Sequence, residues 1–165
     1  MNGKSVARYG LLIALALIFS YLESLVPAFF AVPGMKLGLT NLVVLVALFR
    51  MNERAAVIVN ILRILLVALL FGNAYALAYS LAGGLLSGAV MILLKRTGRF
   101  GMLGVSVAGG LAHNVGQILA AMALMETWQL VSYLPVLWIS GMIAGLVIGL
   151  LGYEVTRRLP PKFFF

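Results

Sequence analysis

The chain has 165 residues, of which 64% are hydrophobic and 10% charged, and its mean hydropathy is +1.14. These values exclude a water-soluble globular domain, in which about a quarter of the residues are charged. Cysteine is absent, which removes disulfide and thiol chemistry, and the formal net charge of +8 has to be read against a membrane surface first.

A membrane-crossing helix needs about 20 largely apolar residues. The hydrophobic runs predict six spans, at residues 7–26, 37–50, 54–72, 74–94, 101–124 and 133–156. Connections are short, and no polar stretch is long enough to fold separately. Residues 1–165 are therefore expected to form a single transmembrane domain, an all-α integral membrane protein, with no linker, low-complexity tract or internal repeat.

The first run follows Lys4 and Arg8. It reads as a span rather than a secretory signal, because it is long for an h-region and further spans follow. Gly10 with Ala14, and Ala16 with Ser20, give it a small-residue face suited to docking against another subunit. Next comes an apolar stretch, Val26 to Lys36, broken by two prolines and a glycine. It is expected to fold back over the outer mouth, where irregular backbone is tolerated against protein or a cavity. Span two is only about 21 Å long, so it would begin below the outer surface. Its free N–H groups and dipole at residues 37–41, with Lys36 beside them, would favour an anionic group; an ordinary hairpin under an apolar lid is the alternative.

Spans four to six carry glycines and alanines at four-residue spacing: Gly84 and Gly88; Gly104, Ala108, Ala112, Gly116 and Ala120; Gly141, Gly145 and Gly149. Ordinary helix packing accounts for them better than sliding surfaces do. Ten of the twelve Lys and Arg residues cluster at one side: Lys4, Arg8, Arg50, Arg54, Lys95, Arg96, Arg99, Arg157, Arg158 and Lys162. By the positive-inside rule that side is cytoplasmic, which puts both the N- and C-termini there. The charge is thus explained by topology and lipid, and a nucleic-acid partner has no support. Glu53 reads as a solvated loop charge and Glu154 as local balance for Arg157 and Arg158.

Arg63 is different, because it lies inside an apolar run. A guanidinium near the bilayer centre costs about 2.5 to 3.5 kcal/mol on insertion scales, so it marks a polar site unless it snorkels or pairs with Glu23. Counting about 1.5 Å per residue from the basic flanks puts Arg63 and Asn41 about 14 Å deep, and His113 and Asn114 about 20 Å deep. Glu23, Gln117 and Lys36 lie at about 21 to 27 Å. The two layers suggest a cavity open to the outer side. His113 and Gln117 share a face of span five while Asn114 is turned by about 100°, and Asn60 shares a face with Arg63. Each has a plainer alternative: Lys36 as a surface anchor, His113 as an interhelical donor, Asn41 and Asn114 as helix bridges. One histidine without cysteine does not make a metal centre, and no cofactor is called for.

Several spaced stretches, in order, carry a resemblance: Pro33-Gly34-Met35-Lys36-Leu37-Gly38-Leu39-Thr40-Asn41, Arg63-Ile64-Leu65-Leu66 with Leu70-Phe71-Gly72, Ser80-Leu81-Ala82-Gly83-Gly84, Gly104-Val105-Ser106, and His113-Asn114-Val115-Gly116-Gln117. From about residue 8 to 155 the chain resembles the membrane family labelled heptaprenyl diphosphate synthase component I, also called the Gx transporter family. That family looks like a relative of the S components of energy-coupling factor (ECF) transporters, six-helix proteins that bind vitamins from outside and are driven by a T subunit and two ATPases. The resemblance implies that residues 27–36 form a gating loop and that span one is the docking face. S components often carry alanines four apart there, where this chain has Gly10 and Ala14.

The label suggests an enzyme, but prenyl synthases hold Mg²⁺ with aspartate-rich motifs and this chain contains no aspartate. It also lacks a Gly-Lys-Ser/Thr phosphate loop and any nucleophile-base-acid set. The sequence therefore predicts a non-enzymatic, multi-pass plasma-membrane subunit of S-component type. It would capture a small anionic or amphiphilic metabolite through Arg63, Lys36, Asn41, His113, Asn114, Gln117 and Glu23. A non-catalytic subunit assisting isoprenoid or quinone metabolism is the rival expectation.

Overall fold

A computed structural model describes residues 3–25 and 38–160, leaving aside the side chains of Lys4 and Ser5. Lys36 and the expected fold-back of residues 26–36 lie outside the described residues. Six α-helices follow one another: α1 (Gly3–Leu25), α2 (Leu39–Arg50), α3 (Glu53–Phe71), α4 (Ala74–Arg96), α5 (Met102–Met125) and α6 (Leu134–Arg158). A 3₁₀ turn at Trp128–Tyr133 precedes α6, whose second residue is Pro135, a position that leaves no helical hydrogen bond unmade. Asn52 and Asn73 start α3 and α4 by accepting from the backbone N–H of Ala55 and Ala76, each at 2.8 Å.

Five of these helices are long and apolar enough to cross a membrane. The exception is α2, which at 12 residues is about 18 Å long, well short of a ~30 Å hydrocarbon core. The second of the six expected runs reads as short, and it is a 12-residue helix held inside the others. Eight of its residues, from Thr40 to Leu48, are buried. A helix that is apolar all round belongs in an interior. Around it α1, α3, α4, α5 and α6 stand as a broken ring in that order, and α2 packs mainly against α1, α3 and α6. The side-chain core is built on Leu42 to Leu48, joined by Leu12 and Ala16 of α1, Val59 of α3, Val105 of α5 and Ile148 of α6.

The other half of the bundle is held by backbone contact. A Cβ added at Gly116 of α5 would lie 2.6 Å from the Ala82 carbonyl oxygen of α4, and one at Gly110 would lie 2.5 Å from the Gly141 carbonyl oxygen of α6. Gly145 answers from α6 against Val107 Cα at 2.7 Å. The packing role expected of the small residues therefore holds for Gly84, Gly116, Gly141, Gly145 and Gly149. Gly104 meets only the Phe100 ring of its own segment, and Gly109 and Gly110, outside the expected stripe, make closer approaches. Outward faces stay apolar, as lipid contact requires; Leu69 is 82% exposed.

At the basic end, side chains tie the helices together. Arg50 of α2 donates to the Thr156 carbonyl of α6, and Lys95 of α4 to the Leu48 carbonyl of α2. Arg96 grips both carboxylate oxygens of Glu53 through Nε, at 3.0 and 3.1 Å. Glu53 is thus an α3–α4 clasp rather than a bare loop charge. Glu154 pairs with Arg158 one turn on, the local balance expected of it.

Gly116→Val should lower stability by about 3 kcal/mol or more, because its Cβ meets backbone that moves only if α4 and α5 part. Gly10→Ala should be neutral or slightly stabilising, since no atom lies within 4 Å of the added carbon. Thermal unfolding of both variants in detergent tests the contrast; equal losses would contradict it.

Candidate functional site

Arg63 is half-buried on α3 and held by two asparagines. Its Nε and Nη2 donate to Asn60 Oδ1, one turn earlier, at 3.1 and 3.0 Å. Nη2 also donates to Asn41 Oδ1 of α2 at 3.2 Å. Asn60 is fixed in turn, because its Nδ2 donates to the Gly84 carbonyl of α4 at 2.9 Å. A helical carbonyl thus orients an amide, the amide orients the guanidinium, and the guanidinium reaches α2. The equal depths derived for Arg63 and Asn41 correspond to a direct contact.

Glu23 does not form an ion pair with Arg63, although it lies within Coulombic reach. Its carboxylate instead accepts from the Leu39 N–H at 2.8 Å and from Thr40 Oγ1 at 3.1 Å. Thr40 Oγ1 lies 3.0 Å from Ser20 Oγ, so α1 reaches the start of α2 with two side chains. The N-terminus of α2 was expected to attract a ligand anion, and in the structure a carboxylate of α1 already sits there. That is the favourable place for a negative charge, next to orphan N–H groups and the positive end of the dipole. Gly38, at φ 76°, supplies the left-handed turn into the helix, and its carbonyl accepts from Asn41 N at 2.8 Å.

Asn41 also faces a cavity of about 40 Å³ between α2, α4, α5 and α6, lined by Ser87, Ser106, His113 and Asn114 and floored by glycines. This is room for a few water molecules at most. Asn114 is the α5–α6 bridge among the expected alternatives: Nδ2 donates to the Leu137 carbonyl at 2.6 Å and to Ser140 Oγ at 3.3 Å. His113 and Gln117 are half-buried and turn towards α4, where Gly83 makes room for them. A Cβ at Gly83 would lie 2.8 Å from Gln117 Cγ and 3.1 Å from His113 Cε1.

The seven expected ligand residues therefore divide. Asn41, His113 and Asn114 share the cavity, and Arg63 adjoins it through Asn41. Gln117 stands one turn beyond His113, and Glu23 is committed to α2. Gly10 and Ala14 are exposed on α1, clear of the site. Three polar residues were not foreseen. Thr40 is 1% exposed, Ser106 is 5% exposed, and Ser87 is 2% exposed with no hydrogen-bond partner among the described residues for its hydroxyl. Ser87 sits between Gly84 and Gly88, and that small-residue context marks close helix approach as readily as it marks a site.

The family described as heptaprenyl diphosphate synthase component I matches residues 12–155 of the chain. No curated protein and no solved structure matches it.

Glu23→Ala should destabilise the protein by about 2 kcal/mol, because it leaves the Leu39 N–H and the Thr40 hydroxyl without their charged acceptor. Glu23→Gln keeps one acceptor oxygen and should lose less than half as much. Unfolding in detergent without added metabolite checks this; an unchanged midpoint for Glu23→Ala would show that the bond does not hold α2.

Proposed function

The chain belongs to the heptaprenyl diphosphate synthase component I family, and from that premise we propose that it is a membrane-embedded binding subunit for a small anionic or amphiphilic metabolite. The observation that carries the reading is Arg63. Its guanidinium is oriented by Asn60 and Asn41, which are neutral, and among the described residues no carboxylate is bonded to it. A cation desolvated among apolar helices without a bonded counter-ion is a strong receptor for an anion. Asn41 sits between Arg63 and the cavity, so a ligand that bonds Asn41 also competes for or completes the guanidinium's contacts. His113, Asn114 and Gln117 supply orientation. The cavity is too small for a metabolite, so binding requires the helices that line it to part.

In this reading the chain spans a plasma membrane six times with both termini cytoplasmic, α2 being the short second crossing. It works like an ECF S component, with the exposed face of α1 at Gly10 and Ala14 meeting a T subunit driven by ATPases. The chain itself performs no chemistry, since it has no aspartate with which to hold Mg²⁺ on a diphosphate. The family description favours one rival, a non-catalytic membrane partner of a prenyl diphosphate synthase. Both readings allow a prenyl diphosphate as ligand, and they differ in whether the ligand crosses the membrane.

Thermal unfolding of the detergent-purified protein against organic anions, diphosphates and prenyl diphosphates should reveal at least one stabilising compound, through mass action on the folded state. Arg63→Ala should weaken its binding by about thirtyfold or more, the loss that follows truncation of one partner of a buried charge pair. A panel with no stabilising member, or an Arg63→Ala variant that binds as tightly as the wild type, would end this reading.

A further inference from the structure

A second and larger opening lies between α3 and α4, a crevice of about 220 Å³. Buried Val44, Leu48, Ala56 and Met91 form its floor, while Val57 and Leu85, 39% and 52% exposed, stand at its rim. Its origin is a change in helix spacing. At Gly84 the two helices close, since a Cβ there would lie 2.6 Å from Ile64 Cδ1. One turn on, at Gly88, the same carbon would meet nothing nearer than Asn60 Nδ2 at 3.7 Å, and the helices part. The lining on α4, from Gly84 to Ile92, runs about 12 Å towards the basic end. Asn60, its one polar side chain, is already bonded to Gly84 and Arg63. An apolar slot open at the bilayer face of the bundle is suited to hydrocarbon rather than water.

The charges at its lower end are in register with it. On α3, Arg54 precedes Val57 and Ile61 of the wall by three and seven residues, so all three share a face. On α4, Leu85, Ala89 and Ile92 lead by the same helical spacing to Arg96. Arg54 is exposed and has no bonding partner among the described residues. Arg96 holds Glu53 but is 64% exposed, and Lys95 reaches the Leu48 carbonyl with Phe49 beneath it at 5.5 Å. Even with Glu53 counted, the mouth carries an excess of positive charge.

We propose that this crevice is a lipid site, taking one acyl chain of an anionic phospholipid whose phosphate sits between Arg54 and Arg96. A zwitterionic lipid offers the same chain, but its choline or amine would face a basic mouth. Charge selects the headgroup and the α3–α4 gap takes the tail. Such a lipid would brace the two helices where they do not touch.

The test is unfolding of delipidated protein in micelles doped with either phosphatidylglycerol or phosphatidylcholine. Phosphatidylglycerol should raise the midpoint by several degrees, and phosphatidylcholine should leave it in place. Arg54→Gln should weaken the apparent affinity about fivefold, the effect of one basic residue at a lipid surface. Gly88→Leu puts a side chain into open crevice space, so it should fold normally and lose the phosphatidylglycerol response; Ala89→Leu fills the slot from the same helix if that variant is poorly expressed. Arg63→Ala should keep the full response, which separates this site from the ligand site. Equal stabilisation by both lipids, or a full response in the slot-filling variants, overturns the proposal.

Discussion

A helix shorter than the bilayer core has to bring a polar end to something other than water, and α2 depends on the carboxylate of Glu23 for this. Unpaired N–H groups in an apolar surrounding cost several kcal/mol each. Glu23 accepts from Leu39 and Thr40, and Ser20 adds a hydroxyl beside them. With that end satisfied, the whole apolar cylinder from Leu42 to Leu48 can be buried and five longer helices can stand around it. The polar residues of the candidate site follow from the same arrangement. Asn41 is one residue beyond Thr40, and its position facing Arg63 and the cavity is set by how α2 begins.

Two kinds of packing share the work. Around α2 the contacts are between branched and long side chains, which interlock and resist sliding. Between α4, α5 and α6 they are between glycines and backbone carbonyls, which bring helices close with few side chains to unlock. The cavity lies on the boundary of the two regimes, with Asn41 on the interlocked side and Gly110, Gly141 and Gly145 on the smooth side. A site placed there can widen by movement of smooth surfaces while its charged half stays fixed by Asn60 and Gly84.

Much of this was legible in the residues. Hydrophobic length locates the helices to within a few residues, and the basic flanks set a depth scale on which Arg63 and Asn41 fall at one level, as their contact in the structure requires. The glycine positions that approach most closely were only partly legible, because a four-residue repeat says which residues share a face and not which face meets a neighbour. Glu23 was legible as a charge inside a membrane helix, yet its partner was not: a carboxylate serves an arginine and a helix N-terminus equally well, and only the position of α2 decides between them. Glu53 and Arg96 lie 43 residues apart, and local sequence carries no signal for that pairing. Buried serines such as Ser87 look the same in sequence whether they allow close packing or line a cavity.

The described ties at the basic end clasp α2, α3, α4 and α6 to one another. At the far end the described side-chain bonds to the first turn of α2 from elsewhere are those of Glu23 and Ser20 of α1 together with the reach of Arg63. Mechanically this is a lever: α2 is pinned at one end and roped at the other to a helix whose outer face is bare. A push on α1 from a neighbouring protein would pull directly on the residues that flank Asn41, while the clasped end served as the fulcrum.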